Sequence, residues 1–287
     1  HRGEQVPPGE ARLAYVTGFT GSAGMAIVGP KRAGLFVDGR YTLQAPAETD
    51  ARRVQVFEVP TTSIAAQIGR FVPKGGRVGY DPWLHTPQEI KDLTAKLAGK
   101  AELVPSRNLV DLIWPDRPEP PRSPIEFLGD NRAGKSAAEK IAELQAALSA
   151  SGVDATVLTL PESICWLLNM RGRDVPNTPF VLGFAIVPRV GKVKLFMEVQ
   201  RISLIVCRQL EGTATVADSN RFPSALTSLG KAHKRVGLDP ATAPVMVATT
   251  LADAGATIVE GRDPVLLPKS KKNAAEIDGM REAHKLD

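Results

Sequence analysis

Apolar residues recur along this chain in two different periods. Short β-type runs, AIV from Ala26 and GLFVD from Gly34, flank the turn signal Gly29-Pro30. Apolar residues then take helical spacing in TTSIAAQIGRFV and TPQEIKDLTAKLAG. The second of these opens on Thr86-Pro87, a capping residue followed by a proline suited to a first helical turn. SAAEKIAELQAALSASG predicts an amphipathic helix stopped at Gly152, and VDATVLTL after it predicts a strand. Between the two sets lies WPDRPEPPRSP, residues 114–124, where five prolines in eleven residues predict a semi-rigid connector. At the far end KNAAEIDGMREAHKLD predicts a helix beginning at Asn273. The chain opens at His1 without an initiator Met, and its last helical pattern stops without a Gly or Pro signal. Both read as a piece of a longer protein.

The halves repeat one another. RVGYDP at 77–82 recurs as RVGLDP at 235–240, an offset of 158; AIV at 26–28 recurs at 185–187, an offset of 159. GLFVDGR at 34–40 is echoed by KLFMEVQ at 194–200, an offset of 160. Three matches in the same order predict a pair of related α/β domains joined by the proline stretch. The first half lacks a counterpart to the helix and strand of 136–160, which places about that much of the first domain ahead of His1.

Composition narrows the class. The 287 residues suit about two domains, and 43% hydrophobic with 23% charged residues suits a globular protein with a real core. No stretch approaches the roughly 18 consecutive apolar residues of a membrane helix, so no membrane association is expected. Two cysteines, Cys165 and Cys207, fit a reducing, cytoplasmic setting. The net charge of +5 is spread without a basic run beside aromatics, so no nucleic acid partner is expected either.

Candidate chemistry is sparse. GDNRAGKS at 129–136, from Gly129 to Ser136, matches the phosphate-loop pattern letter for letter, yet only PIEFL precedes it where a buried strand is needed. Ser136 with Glu139 also reads as a helix-capping box, the more economical account. GFTGSAG at 18–24 is glycine-rich but runs into a strand rather than a helix, which favours a tight loop over a dinucleotide fingerprint. The four histidines (His1, His85, His233 and His284) are scattered, and no local spacing assembles a metal site. Cys165, between Ile164 and Trp166, reads as a buried, inert thiol, and no nucleophile elbow is present, so no catalytic residue is assigned. What remains is polar residues at element ends: Asp38, Arg40 and Tyr41 in VDGRYTLQA, and Asn169, Arg171, Arg173 and Asp174 in LLNMRGRDVPNTP. An Arg–Asp pair pinning a turn explains them better than a substrate role does.

Taken together, LAYVTGFTGSAG, LFVDGRYTLQA, VGYDPWL, NLVDLIWPDRPEPP, ICWLLNMRGRDVPNTP and LPKSKKNAAEIDGMREAH resemble the Xaa-Pro aminopeptidases, specifically the three-domain cytosolic type. The resemblance implies an α/β fold of two tandem creatinase-type N-terminal domains, each a mixed β-sheet flanked by helices, at 1–122 and 123–266. Residues 267–287 would then start a catalytic pita-bread domain that is otherwise absent. In the family that third domain holds two divalent metals, typically manganese, on carboxylates and a histidine; none of those ligands has a position in this sequence. The chain as given is therefore expected to be inactive and cofactor-free, while its parent acts on proline-containing peptides, removing the residue before proline, and pairs as a homodimer. Arg40 and Arg171, with Asp38 and Asp174 as their positioning partners, are the candidates for the mouth of the substrate cleft. Two alternatives from other classes are a stand-alone two-domain binding module and a nucleotide-binding protein acting through residues 129–136.

Overall fold

The computed structural model describes residues 3–286, so His1, Arg2 and Asp287 lie outside it. The chain divides between Pro120 and Pro121 into two compact units.

The first unit runs α1 (Arg12–Thr17), β1 (Gly24–Val28), β2 (Ala33–Asp38), α2 (Gln44–Glu48), β3 (Val54–Val59), α3 (Ile64–Gln67), β4 (Gly76–Tyr80), α4 (Pro87–Leu97), β5 (Ala101–Pro105) and α5 (Val110–Ile113). The turn at Gly29-Pro30 closes β1 and β2 into an antiparallel pair, and β3 joins β2 in parallel. β4 and β5 form a separate parallel pair. Because side chains alternate along a strand, β2, buried from Ala33 to Val37, feeds two cores. Leu35 and Val37 pack with Phe19, Ala45 and Val54, while Phe36 stacks on Phe57 at 4.9 Å and joins Ile27, Ile68, Phe71 and Leu97. Thr86 and Glu89 build the reciprocal cap of α4 that Thr86-Pro87 predicts. The helical pattern of residues 61–72 yields only the single turn of α3, followed by a tighter 3-10 turn at Ile68–Arg70.

The two units divide within the proline stretch, and its front half is packed into the first. Trp114 stacks on Tyr15 at 4.5 Å, and Tyr15 Oη donates to the Ile113 carbonyl at 2.6 Å. Arg117 donates through Nε to the Gly9 carbonyl at 2.6 Å and pairs with Glu10 and Asp111. The front half of the stretch is thus part of the first unit, packed beside α1.

The second unit contains β6 (Glu126–Phe127), α6 (Asp130–Ala133), α7 (Ala137–Ala150), β7 (Ala155–Leu158), α8 (Pro161–Leu167), β8 (Met170–Arg171), β9 (Phe184–Pro188), β10 (Val193–Met197), α9 (Leu204–Leu210) and β11 (Ala214–Asp218). It continues through α10 (Phe222–Lys231), β12 (Arg235–Leu238), α11 (Val245–Asp253), β13 (Thr257–Glu260), α12 (Leu266–Ser270) and α13 (Ala274–Ala283). Six strands form one mixed sheet in the order β11-β10-β9-β7-β12-β13. Ile141, Leu144 and Leu148, the apolar stripe of α7, cover it together with Ile164, Leu167 and Leu168. The predicted box of Ser136 with Glu139 is present, and the helix predicted from Asn273 opens on a second reciprocal box, Asn273 with Glu276.

Candidate functional site

The four residues singled out from the sequence fall into two separate settings. In the first unit, β2 ends at Asp38, whose carboxylate caps the next turn by accepting from the Arg40 backbone N–H at 3.0 Å. The Arg40 guanidinium folds back on the same carboxylate, Nε at 3.0 Å and Nη2 at 2.7 Å. This two-point grip holds Asp38 below the usual carboxylate range and raises Arg40 further. Arg40 is 59% exposed, lies over the Tyr41 ring at 5.2 Å, and keeps Nη1 outward, 3.8 Å from Glu4. The group is an oriented, solvent-facing positive charge, suited to a carbonyl or carboxylate.

Its floor is the glycine-rich loop. Ser22 Oγ and Tyr41 Oη lie 2.7 Å apart, and the Ser22 N–H donates to Tyr41 Oη at 3.1 Å. Gly18 adopts φ +83° against the Glu48 carbonyl, so no side chain fits there. Glu48 in turn takes the Thr20 N–H at 2.8 Å and the Thr20 hydroxyl at 2.9 Å. A packed loop, not a dinucleotide cradle, is what these letters encode.

In the second unit the expected pairing of Arg171 with Asp174 does not form. Arg171, half-buried on β8, spends Nη1 on two backbone carbonyls, Met170 at 2.8 Å and Cys165 at 3.4 Å. Asp174 is buried and pairs instead with Arg201, itself only 7% exposed. Asp174 also accepts from Ser123 Oγ at 2.6 Å and from the Leu182 N–H at 2.7 Å. Sequence proximity favoured Arg171, three residues away, but the alternation of β8 and the return through the turn at Val199–Arg201 deliver Arg201 instead. Asp174 therefore pins a loop from inside rather than aiming Arg171.

A buried polar network escaped the sequence reading altogether. Lys140 sits inside the apolar stripe of α7 and is 3% exposed. Its ammonium donates to Asn169 Oδ1 at 2.7 Å and the Trp166 carbonyl at 3.0 Å, and lies 4.1 Å from the Trp166 ring centroid. Burial pushes its pKa down to about 8. Trp166 Nε1 donates to Glu276 Oε1 at 2.9 Å, and Asn273 Nδ2 to the Ala133 carbonyl at 2.8 Å. The one legible signal was a lysine on the apolar face of an amphipathic helix.

The same corner decides what GDNRAGKS is. Gly134, at φ +67°, stops α6, and the Asn273 side chain fills the space where a Cβ would stand. Lys135 pairs with Glu143, and Ser136 caps α7. The letters form a helix stop and a helix start, already filled by protein. Cys165 is buried, with Sγ accepting from the Val181 N–H at 3.2 Å; burial pushes the thiol up to about 11. Cys207, on α9, is exposed. Among the described residues no group of three or more His, Cys, Asp or Glu gathers as a metal site, and no helix is long and apolar enough to cross a membrane.

Comparison with known proteins fits this architecture. Residues 8–113 and residues 116–276 each match the Creatinase/Prolidase N-terminal domain. The chain belongs to the creatinase/prolidase N-terminal domain family. It carries two such domains in tandem, each with a mixed sheet and flanking helices, as the resemblance implies. The chain is 30% identical to Aminopeptidase P2 of Arabidopsis thaliana over its full length, covering 45% of that protein. It is 33% identical to "Probable Xaa-Pro aminopeptidase P" of Aspergillus fumigatus over 99% of this chain and, again, 45% of the relative. The chain thus spans just under half the length of these curated relatives. X-prolyl aminopeptidase from Caenorhabditis elegans, described as a cytosolic enzyme with a di-nuclear active site, shares the fold with a TM-score of 0.90. That match covers 98% of this chain and 47% of the nematode enzyme at 24% identity.

Proposed function

We propose that this chain is the non-catalytic front of a metal-dependent Xaa-Pro aminopeptidase, which removes the N-terminal residue from peptides carrying proline second. The observation that carries this reading is identity of 30–33% sustained over essentially the whole chain to proteins named aminopeptidase P, of which the chain covers 45%. The described residues offer no donor set for a metal pair. The two divalent ions, manganese by the family resemblance, belong to the part of such an enzyme outside this chain. When bound, such ions polarise a carbonyl and acidify water.

Residues 267–287 then begin the catalytic domain, and the two creatinase-type domains wall its cleft in a cytoplasmic homodimer. Arg40 is the contact residue of choice, since its guanidinium is exposed and aimed by Asp38. Arg171 is the second candidate, more constrained because two backbone carbonyls hold it. A short Xaa-Pro peptide incubated with manganese tests the reading. Hydrolysis by the polypeptide extended beyond Asp287, and none by residues 1–287, is the expected result. Metal-dependent hydrolysis by residues 1–287 alone, or none by either form, overturns it.

A further inference from the structure

The net charge of the chain has a location. Three segments far apart in sequence, residues 29–32, 50–53 and 70–74, meet at one end of the first domain. The Gly29 N–H donates to the Arg32 carbonyl at 3.0 Å, and the Ala33 N–H to the Arg53 carbonyl at 2.9 Å. Gly29 packs so close to Phe71 that a Cβ would stand 2.8 Å from its carbonyl oxygen. Arg70 lies over the Phe57 ring at 5.9 Å, with Nη1 3.4 Å from Gln55 Oε1. Lys31, Arg32, Arg52, Arg53, Arg70 and Lys74 are all exposed, and the three segments hold a single acid, Asp50. These seven residues sum to the whole net charge of +5, because the other 30 basic residues of the chain are balanced by the other 30 acidic ones. An excess that looks dispersed along the sequence is one patch in the fold.

The fold does not require this charge. β2 and β3 pair in parallel from Ala33 and Val54, which sets Arg32 next to Arg53 just ahead of the strands. Like charges side by side are unfavourable. Asp50 offsets only part of the repulsion, pairing with Arg52 at 2.9 Å and standing 3.9 Å from Arg53. β10 and β11 repeat the same arrangement in the second domain, where the Val193 N–H donates to the Thr213 carbonyl at 3.0 Å. The residues matching Lys31, Arg32, Arg52 and Arg53 are there Gly191, Lys192, Gly212 and Thr213. One cation stands where the first domain carries four, and the backbone pairing is made all the same.

We propose that this end of the first domain docks on an anionic phospholipid surface, its six cations meeting the lipid phosphates and carboxylates. The cations stand on turns at strand ends, and a flat, fluid array of headgroups adapts to their irregular spacing. Four of the six are arginines, whose planar fork suits phosphate and carboxylate. The rings nearest to them, Phe57 and Phe71, are buried, so no stacking platform of the kind that holds single-stranded nucleic acid accompanies the charge. Attachment of this kind is peripheral and needs no spanning helix. None of this depends on the peptidase reading.

Co-sedimentation of the 287-residue polypeptide with vesicles tests the docking. One set of vesicles is phosphatidylcholine alone, and the other carries roughly 30 mol% phosphatidylserine. Binding to the anionic set is expected to be at least about tenfold tighter, and to weaken as salt rises from roughly 0.05 to 0.3 M. Lys31→Gln combined with Arg32→Gln is expected to lower that affinity about 30-fold, at about fivefold per cation. Lys192→Gln combined with Arg208→Gln removes the same charge from exposed positions of the second domain and is expected to change it by less than about threefold. Both pairs are exposed, so the Tm of each double variant is expected to stay unchanged. Equal losses in the two double variants, equal binding to the two vesicle sets, or binding to neither overturns the proposal. Tighter binding to a single-stranded oligonucleotide or to polyglutamate than to the anionic vesicles overturns it as well, because another polyanion is then the partner.

Discussion

Trp166 and Glu276 meet across 110 positions of sequence: the indole Nε1 donates to the carboxylate Oε1 at 2.9 Å, fastening α8 to the first turn of α13. Glu276 is also the reciprocal partner in the Asn273 cap, accepting from the Asn273 N–H at 3.0 Å. One side chain therefore closes a helix start and satisfies a half-buried donor. Glu276→Ala is expected to cost about 1–3 kcal/mol of stability. Glu276→Gln, whose single carbonyl oxygen can accept from only one of these two N–H donors, is expected to retain part of it. Urea denaturation of the two variants checks the difference.

Lys140 gives the second domain a pH signature. Its pKa in the folded protein, about 8, lies below its ordinary value of 10.5 because burial disfavours the ammonium. Between those values the unfolded chain binds more protons than the folded one, so this group's contribution to stability rises with pH from about 8 to about 10.5. Lys140→Met is expected to flatten that rise. Tm measured at half-unit pH intervals for both proteins reads it directly, and an equal slope in the variant would assign the rise to other groups.

Asp174→Ala is expected to be among the most damaging single changes in the second domain, costing about 3–5 kcal/mol, because it strands the buried Arg201 charge. Arg201 Nε and Nη2 already have no acceptor among the described residues, so no local partner stands ready to compensate. The double variant Asp174→Ala with Arg201→Met is expected to be more stable than Asp174→Ala alone. A double-mutant cycle in guanidinium measures the sign.

Gly134 and the residues around it are expected to be silent toward nucleotides. Addition of MgATP at millimolar concentration should leave Tm unchanged, since bound ligand stabilises the fold that binds it. Gly134→Ala, by contrast, should lower Tm on its own, because its left-handed backbone and the Asn273 side chain leave no room for a methyl group.

In the extended enzyme, Arg40→Ala is expected to raise KM for short Xaa-Pro peptides several-fold while leaving kcat within about twofold, the mark of lost binding rather than lost chemistry. Asp38→Asn, which loosens the grip on Arg40 without removing the guanidinium, should shift KM in the same direction by less. Steady-state kinetics on both variants decides whether this pair serves the cleft.

The architecture was legible because it is periodic and repeated. RVGYDP and RVGLDP tied the two halves together at what proved to be β4 and β12, and the capping box at Ser136 announced itself as letters three residues apart. Local rules failed where partners come from afar. Asp174 had Arg171 and Arg173 beside it in sequence, yet Arg201 reaches it because only the folded sheet sets their distance. The two units divide within the proline stretch, but the long-range packing of its front half was not legible: Trp114 and Arg117 have partners at Tyr15 and Gly9, about a hundred residues back. Lys140 was visible as a misplaced charge, but its network with Asn169, Trp166 and Glu276 spans three helices.

The two thiols also amount to a built-in clock. Cys207 is open to any alkylating reagent, whereas Cys165 is shut away beneath Val181 with its thiolate strongly disfavoured. A reagent in excess will modify one sulfur at once and the other only when the second domain opens. Intact mass against time therefore counts opening events of that domain without a dye, a tag or a substitution.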